Sequence, residues 1–433
     1  MEIAIIGTGY VGLVSGACLS EFGFNVTCID KNKKKIDDLN NDIIPIYEPG
    51  LDDLVRKNRN AGRLKFSINT KEIIPKSDIV FIAVGTPSRR GDGHADLTYI
   101  YEASNEISLY LKGYTVIVTK STVPVGTGQE VEDIIKKGNP DAEFDIVSNP
   151  EFLREGSAIN DFMRPDRVII GTKSKRAKDL MKIIYQPLFI RETPILYTDL
   201  QTSELIKYAA NAFLALKISF INQIADLCET VNAEVHDVAK GIGLDKRIGE
   251  KYLHPGPGYG GSCFPKDTVA LVETANKYNS PMTLIQETIR YNNLRKRSML
   301  KRIIEASDNS IKDKKIAVLG LAFKPETDDV RESPALEIIP KLVSLGAKIS
   351  TYDPVAMKEA KKILPVEVHY SLNAKSCIEG SDILVLLTEW NEFRSLNGEH
   401  IKNLMKGNVV VDLRNVFKKS KLIEHGIDYF SIG

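Results

Sequence analysis

The chain has 433 residues, 43% of them hydrophobic and 27% charged, an ordinary globular balance in a chain too long for one core; two or three domains are expected. Fifty-eight Lys and Arg stand against 57 Asp and Glu, a formal net charge of +1, so no global field favours a nucleic acid or a membrane surface. Five scattered cysteines (Cys18, Cys28, Cys228, Cys263, Cys377) and six histidines show neither a disulfide framework nor a metal spacing, and no metal is expected.

The chain opens on MEIAII with no basic leader, and no apolar run approaches the ~20 residues of a membrane span, so a cytoplasmic location is expected. Short runs rich in β-branched residues predict strands at EIAII (2–6), NVTCI (25–29), DIVFIAV (78–84), TVIVT (115–119) and DIVS (145–148). They alternate with helical periods, as in a parallel α/β sheet buried on both faces. The basic run KNKKK at Lys31–Lys35 reads as the opening of a solvated helix.

From Thr202 to Val231 there is no Gly or Pro, and Leu205, Ala209, Phe213, Leu216, Phe220, Ile224 and Leu227 recur at spacings of three and four. This predicts one helix of ~30 residues, about 45 Å long. Such a helix can join two domains and pack against a partner subunit, so a homodimer through this helix is expected.

Beyond it the first pattern returns: KIAVLG (315–320) echoes IAIIG (3–7), AKISTYDP (347–354) echoes NVTCIDK (25–31), SDILVLLT (381–388) echoes SDIVFIAV (77–84) and NVVVDLRN (408–415) echoes TVIVTKST (115–122). Four echoes in one order predict two Rossmann-like doubly wound α/β domains, 1–198 and 311–433, joined by a long central helix within a helical dimerisation domain, 199–310.

Between the first strand and a helical stretch lies Gly7-Thr8-Gly9-Tyr10-Val11-Gly12, the GxGxxG pattern in its proper setting. Gly7 allows the tight turn, Gly9 lets the backbone approach a pyrophosphate, and Gly12 allows close helix packing. Asp30 ends the second strand, 18 residues past Gly12. A carboxylate there binds a ribose 2′-hydroxyl and repels a 2′-phosphate, which favours NAD over NADP. The second α/β copy lacks the fingerprint. In its place LAFKPETDDVRESPA presents Lys324 and Arg331 in a polar loop, suited to the phosphates of a different nucleotide or simply to solvent.

The segment HPGPGYGGSCFPKDT (254–268) sets Cys263 in a Gly- and Pro-rich loop just before a helix expected from Pro265 to Tyr278. A thiol near a helix N-terminus, with Lys266 nearby, has a lowered pKa. Cys18, Cys28 and Cys228 read as packing residues. An activated thiol in an NAD enzyme suggests acid formation: one hydride leaves an alcohol as aldehyde, the thiolate traps it as a thiohemiacetal, and a second hydride leaves a thioester for water to cleave. Glu151 and Glu155, in NPEFLREG after the last strand of the first domain, could orient that water. Lys207 and Asn211, i and i+4 on the long helix, could hold an oxyanion.

GTGYVGL, VGTP, KSTVPVG, NPEFLREG, SELIKYAANAFLALKISFINQ, GYGGSCFPKD and GLAFKPETDDVRESPA occur in this order over nearly the whole chain. Together they resemble the UDP-glucose/GDP-mannose dehydrogenase family. The resemblance implies an NAD domain, a central dimerisation domain and a C-terminal nucleotide-sugar domain. It implies two hydride transfers at C6 of UDP-glucose, giving UDP-glucuronate and two NADH. Carried over by motif, Cys263 is the nucleophile, Lys207 and Asn211 stabilise oxyanions, and Asp267 assists proton transfer through water. Glu155 is a candidate base for thioester hydrolysis, and Thr122 orders the catalytic water and touches NAD. Val11, Asp30, Lys35, Thr86, Lys266 and Arg331 fall at NAD-contacting positions. Glu151, Phe152, Leu153, Arg154 and Glu155 fall at substrate positions, as do Tyr252, Leu253, His254, Pro255 and Gly256, with Gly260 and Lys324. Arg247 resembles an arginine donated to the partner's substrate site. GDP-mannose and UDP-N-acetylmannosamine are the alternative substrates within the family. A one-hydride dehydrogenase or a non-catalytic NAD-binding protein is the alternative outside it; neither needs Cys263.

Overall fold

A computed structural model describes residues 1–89 and 93–433. The chain forms two compact units, one of Met1–Ala210 with Glu273–Asn279 and one of Asn211–Val272 with Ser280–Gly433.

The first unit is built on eight strands: β1 (Glu2–Ile6), β2 (Asn25–Ile29), β3 (Leu64–Ser67), β4 (Ile79–Ile82), β5 (Tyr114–Thr119), β6 (Glu143–Ser148), β7 (Val168–Gly171) and β8 (Ile195–Thr198). Their order is β3-β2-β1-β4-β5-β6-β7-β8. β1 to β6 are parallel, and β7 pairs antiparallel with β6. Side chains alternate across the sheet, so Ile3 and Ile5 enter one apolar core while Ala4 and Ile6 enter another on the opposite face. The order reverses between β1 and β4, the place where open α/β sheets bind ligands.

Three of these strands escape the sequence pattern, and they correct one expectation. NPEFLREG follows the sixth strand of the sheet and not the last. β3 and β8 lie at the two edges. β7 is only four residues long and follows a short helix, Ala158–Met163.

The second unit carries β9 (Lys315–Leu319), β10 (Lys348–Tyr352), β11 (His369–Tyr370), β12 (Ile383–Leu386), β13 (Val409–Asp412) and β14 (Asp428–Phe430), all parallel in the order β11-β10-β9-β12-β13-β14. This is the order of the first six strands of the other unit, so the four sequence echoes are four pairs of equivalent strands. Both units are Rossmann-like.

The long helix runs from Leu200 to Val231, 32 residues without a break. Its buried side holds Glu204, Lys207, Tyr208, Asn211, Ala215, Asn222 and Cys228. The apolar stripe marked by the sequence spacing faces outward: Leu205, Phe213, Phe220, Leu227 and Val231 are exposed, Phe213 by 59% and Val231 by 60%. Among the described residues no helix is long and apolar enough to cross a membrane, and no group of three or more His, Cys, Asp or Glu could hold a metal ion.

Candidate active site

The turn after β1 has the shape a dinucleotide requires. Gly7 adopts φ +101°, and a Cβ there would lie 2.6 Å from the Ala83 carbonyl oxygen. A Cβ on Gly12 would lie 2.0 Å from the Gly7 carbonyl oxygen, so the helix Tyr10–Glu21 can approach β1 only with glycine here. A Cβ on Gly9 would meet nothing within 4 Å, and the backbone is open on that side. Asp30 Oδ2 accepts from the Thr8 amide at 3.0 Å and the Thr8 hydroxyl at 2.7 Å, and Lys35 Nζ lies 3.4 Å away. Burial raises the Asp30 pKa, but the hydrogen bonds from Asn32 and Thr8 and the Lys35 charge outweigh it and hold the carboxyl below its usual value. Thr86 donates to the Thr122 carbonyl at 2.9 Å, joining the loops after β4 and β5. The residues fit NAD: a glycine cradle for the pyrophosphate and an ionised carboxylate for the ribose.

Past β6, Glu151 and Lys207 form a buried ion pair at 3.1 Å. The second Glu151 oxygen accepts from the Leu153 amide at 2.5 Å, and Lys207 Nζ stands 5.2 Å from the centre of the Phe152 ring. Such a pair is stable only when its remaining valences are satisfied. Arg154 instead turns outward to Asp161. Beneath this pair lies a residue the motif reading left without a role. Lys120, buried, donates to Asn149 Oδ1 at 3.0 Å and to Tyr185 at 3.2 Å. Burial pushes its ammonium down to about 8, Glu151 opposing and Lys207 reinforcing the shift. Glu155 sits in the turn whose Gly156 and Ala158 amides, together with the Tyr10 hydroxyl, are held by the buried Glu48. Glu48 was also missed; a lone glutamate before Pro-Gly carries no sequence signal.

In the second unit Asn211 Nδ2 donates to Asp267 Oδ2 at 2.6 Å, and Lys266 Nζ donates to Asp267 Oδ1 at 2.6 Å. Asn211 and Asp267 are both buried. The Cys263 carbonyl accepts from the Asp267 amide at 2.8 Å and opens the helix Phe264–Lys277. The thiol follows Ser262, whose hydroxyl lies 3.5 Å from it, and it is the one cysteine of the five that is not buried. Burial pushes Cys28 up to about 12 and Cys377 to about 11, which suits inert packing residues. Lys207 and Asn211 stand one turn apart on the buried side of one helix, as the i,i+4 spacing requires.

The glycine loop before Cys263 lies against the loop after β9. A Cβ on Gly260 would come 2.4 Å from the Glu332 carbonyl oxygen, and the Gly261 amide donates to the Arg331 carbonyl at 2.8 Å. The structure thus brings Gly260 beside the segment of Lys324 and Arg331. The Arg331 side chain pairs with Asp329 at 2.8 Å. In the 252–256 stretch Tyr252 takes φ +66°, Leu253, Pro255 and Gly256 are buried and His254 is exposed. Arg247 is exposed and pairs with Asp245 at 2.6 Å.

Residues 1–189 match the NAD binding domain of the UDP-glucose/GDP-mannose dehydrogenase family, residues 201–294 its central domain and residues 317–419 its UDP binding domain. The chain belongs to the UDP-glucose/GDP-mannose dehydrogenase family. It is 54% identical to a UDP-glucose 6-dehydrogenase of Rhizobium meliloti, over 100% of this chain and 99% of the relative. The structure of a UDP-glucose dehydrogenase from Pyrobaculum islandicum superposes with a TM-score of 0.91 at 35% identity, covering 100% of this chain and 97% of that one. The UDP-D-ManNAc dehydrogenase of Pyrococcus horikoshii follows at 0.85 and 26%, covering 100% and 99%. The UDP binding match falls on the second Rossmann-like sheet, the copy without a dinucleotide fingerprint.

Proposed function

We propose that this chain is an NAD-dependent UDP-glucose 6-dehydrogenase, oxidising C6 of UDP-glucose to the carboxylate of UDP-glucuronate with two NADH formed. The observation that carries the reading is the Cys263 loop, whose one unburied thiol opens the helix bearing Asp267, in a chain that also holds a dinucleotide cradle. Relatives that share the full length and are named for this substrate support it.

Gly7, Gly9, Val11, Gly12, Asp30, Lys35, Thr86 and Thr122, with Lys266 and Arg331, would hold NAD, which when bound would supply the hydride acceptor for both oxidations. The chain's own residues do the rest. In the first oxidation the C6 hydroxyl loses its proton through water ordered by Asp267, and Lys207 and Asn211 hold the oxygen as it becomes anionic. The Cys263 sulfur then bonds to the aldehyde carbon, and the resulting thiohemiacetal oxygen returns to the same two side chains. After the second oxidation the product is a thioester on Cys263. Water, deprotonated by Glu155 and placed by Thr122, cleaves the C–S bond and returns the thiol. Keeping the aldehyde covalently attached prevents its release between the two oxidations.

The work is divided among an NAD-binding region at 1–198, a helical region at 199–310 that brings Lys207, Asn211 and Cys263, and a UDP-sugar region at 311–433 with Lys324. The sugar is read by Glu151–Glu155, Tyr252–Gly256 and Gly260. We further propose that two chains pair along the long helix. Glu204, Lys207, Asn211 and Asn222 face inward, and Leu205, Phe213, Phe220, Leu227 and Val231 form an outward stripe that a monomer would leave in water. The pairing would place Arg247 at the other subunit's substrate. A cytoplasmic location fits five cysteines that form no disulfide.

The test is NADH formed per UDP-glucose consumed with NAD in excess. Two per sugar, with acid as product, is the expected result; one per sugar with free aldehyde would overturn the covalent scheme. No turnover with UDP-glucose but turnover with GDP-mannose or UDP-N-acetylmannosamine would overturn the substrate and keep the chemistry. Cys263→Ala abolishes acid formation while UDP-glucose binding persists.

A further inference from the structure

The loop that delivers Cys263 has no secondary structure of its own, yet residues 255–261 are buried. A buried backbone must satisfy its N–H and C=O groups, and here no strand or helix does so. Side chains take over. At Gly256 the amide donates to Asn222 Oδ1 at 2.8 Å and the carbonyl accepts from Arg295 Nε at 3.0 Å. At Tyr259 one residue serves both groups: Asn292 Oδ1 accepts from the amide at 2.8 Å, and Asn292 Nδ2 donates to the carbonyl at 3.1 Å. Asn292 thus grips Tyr259 as a neighbouring strand would. Arg295 is held in turn by Asp226, and Lys296 by Glu332 at 3.0 Å. Asn222, Asn292, Arg295 and Lys296 are all buried, at 1%, 4%, 2% and 4% exposure. They project from Leu200–Val231 and from the helix Thr283–Glu305.

Four polar side chains at such depth are costly unless bonded, and all four make the bonds given above, though Arg295 Nη2 is buried without a partner among the described residues. Apolar side chains in their place would leave the Gly256 and Tyr259 backbone groups buried without partners. What the polar set adds is direction, since a two-bond amide clamp fixes the orientation of the peptide it holds and not only its position. Tyr259 is four residues before Cys263.

We propose that Asn292 is a positioning residue for the nucleophile: by clamping the Tyr259 peptide, with Gly256 held by Asn222 and Arg295, it aims the Cys263 sulfur at the aldehyde. This rests on Cys263 being the nucleophile, and it extends that reading to a residue on another helix that touches no reactant. Loss of the clamp leaves the first oxidation largely intact and impairs capture of the aldehyde. Displacement of a reacting group by about 1 Å costs about a hundredfold in rate.

The experiment compares Asn292→Asp, Asn292→Ala and Cys263→Ser with the wild-type enzyme. Asn292→Asp keeps the acceptor for the Tyr259 amide but sets a carboxylate against its carbonyl. Asn292→Ala removes both bonds without adding charge, and it serves where the aspartate variant fails to fold. Acid formation is measured with the ratio of NADH to sugar consumed, aldehyde release, NAD affinity and the thermal midpoint. The expected result for both Asn292 variants is a ratio falling from two toward one, with free aldehyde, NAD affinity unchanged and kcat for acid lower by about ten- to a hundredfold. A loss of folded protein alone would lower the rate and leave the ratio at two. A ratio of two in Asn292→Ala, with Cys263→Ser inactive in acid formation, overturns the positioning role alone. Full acid formation by Cys263→Ser overturns the nucleophile reading and this proposal with it.

Discussion

The two Rossmann-like sheets begin alike and then part at a single turn. In both, a glycine with positive φ ends the first strand: Gly7 at +101°, its amide 2.7 Å from the Ile29 carbonyl, and Gly320 at +97°, its amide 2.9 Å from the Tyr352 carbonyl. In both, an aspartate follows the second strand, Asp30 after β2 and Asp353 after β10. The difference lies in what the aspartate holds. Asp30 takes hydrogen bonds from Thr8, Asn32 and Lys35, and its side chain keeps 19% of its surface open. Asp353 is fully buried. Its Oδ2 accepts from the Leu321 and Ala322 amides and the Trp390 indole, and its Oδ1 from the Val355 and Ala356 amides. The Ala322 amide, at the place of Gly9, is thus bound by the protein itself. The same fold with the same acid is a dinucleotide site in one unit and a sealed turn in the other. Sequence similarity at the strands does not reveal which; the hydrogen bonds of one carboxylate do.

The largest test of this comparison is Asp353→Ala. It orphans five donors at once and should lower the unfolding free energy by at least about 3 kcal/mol, read by urea denaturation, with NAD affinity in surviving folded protein unchanged. Stability within error of wild type would mean the turn is not sealed by Asp353. Asp30→Ala should do the reverse. It weakens NAD binding by about ten- to a hundredfold and narrows the preference over NADP, with little change in stability; a retained NAD preference, measured as the ratio of kcat/KM values, would break the parallel. The smallest effect concerns the fourth echo, where buried Lys120 in the first sheet stands at the place of Leu413 in the second. Because burial depresses Lys120 in the folded state to about 8, below its ordinary 10.5, folding disfavours its charge. The penalty is full at neutral pH, and stability gains from this group as pH rises through 8 toward 10.5. Lys120→Leu should remove about 1 kcal/mol of stability gain between about pH 7 and about pH 9; an unchanged gain would place its source elsewhere.

Much of this architecture is legible in the sequence because strands buried on both faces are continuous apolar runs, and the four echoes fall on the central strands. The missing strands have physical reasons. Leu64 and Phe66 alternate with Lys65 at one sheet edge, β8 is half in solvent at the other, and β11 is only His369–Tyr370. The candidate site divides in the same way. Gly7, Asp30, Cys263 and the Lys207–Asn211 pair announce themselves by type and spacing. Asn222 and Asn292 do not, because an asparagine on a helix ordinarily signals a solvated face. Only the packed structure shows that these two face inward. The long helix gives the converse lesson. Spacing finds its apolar stripe, which lies outward, while the inward side mixes Ile221, Ala225 and Cys228 with the buried polar residues Glu204, Lys207, Asn211 and Asn222.

The burial of Cys18, Cys28, Cys228 and Cys377 has a practical and a physiological side. Thiol reagents act on exposed thiolates, so the native protein should take up one alkyl label per chain and five only when denatured. On the proposed role of Cys263, label count then becomes a titration of intact active sites that needs no substrate. By the same selectivity, peroxide should reach Cys263 and spare the core; on the proposed role of Cys263, oxidation should then switch off turnover while leaving the fold intact, and a reductant that reverses the sulfenic acid should restore it.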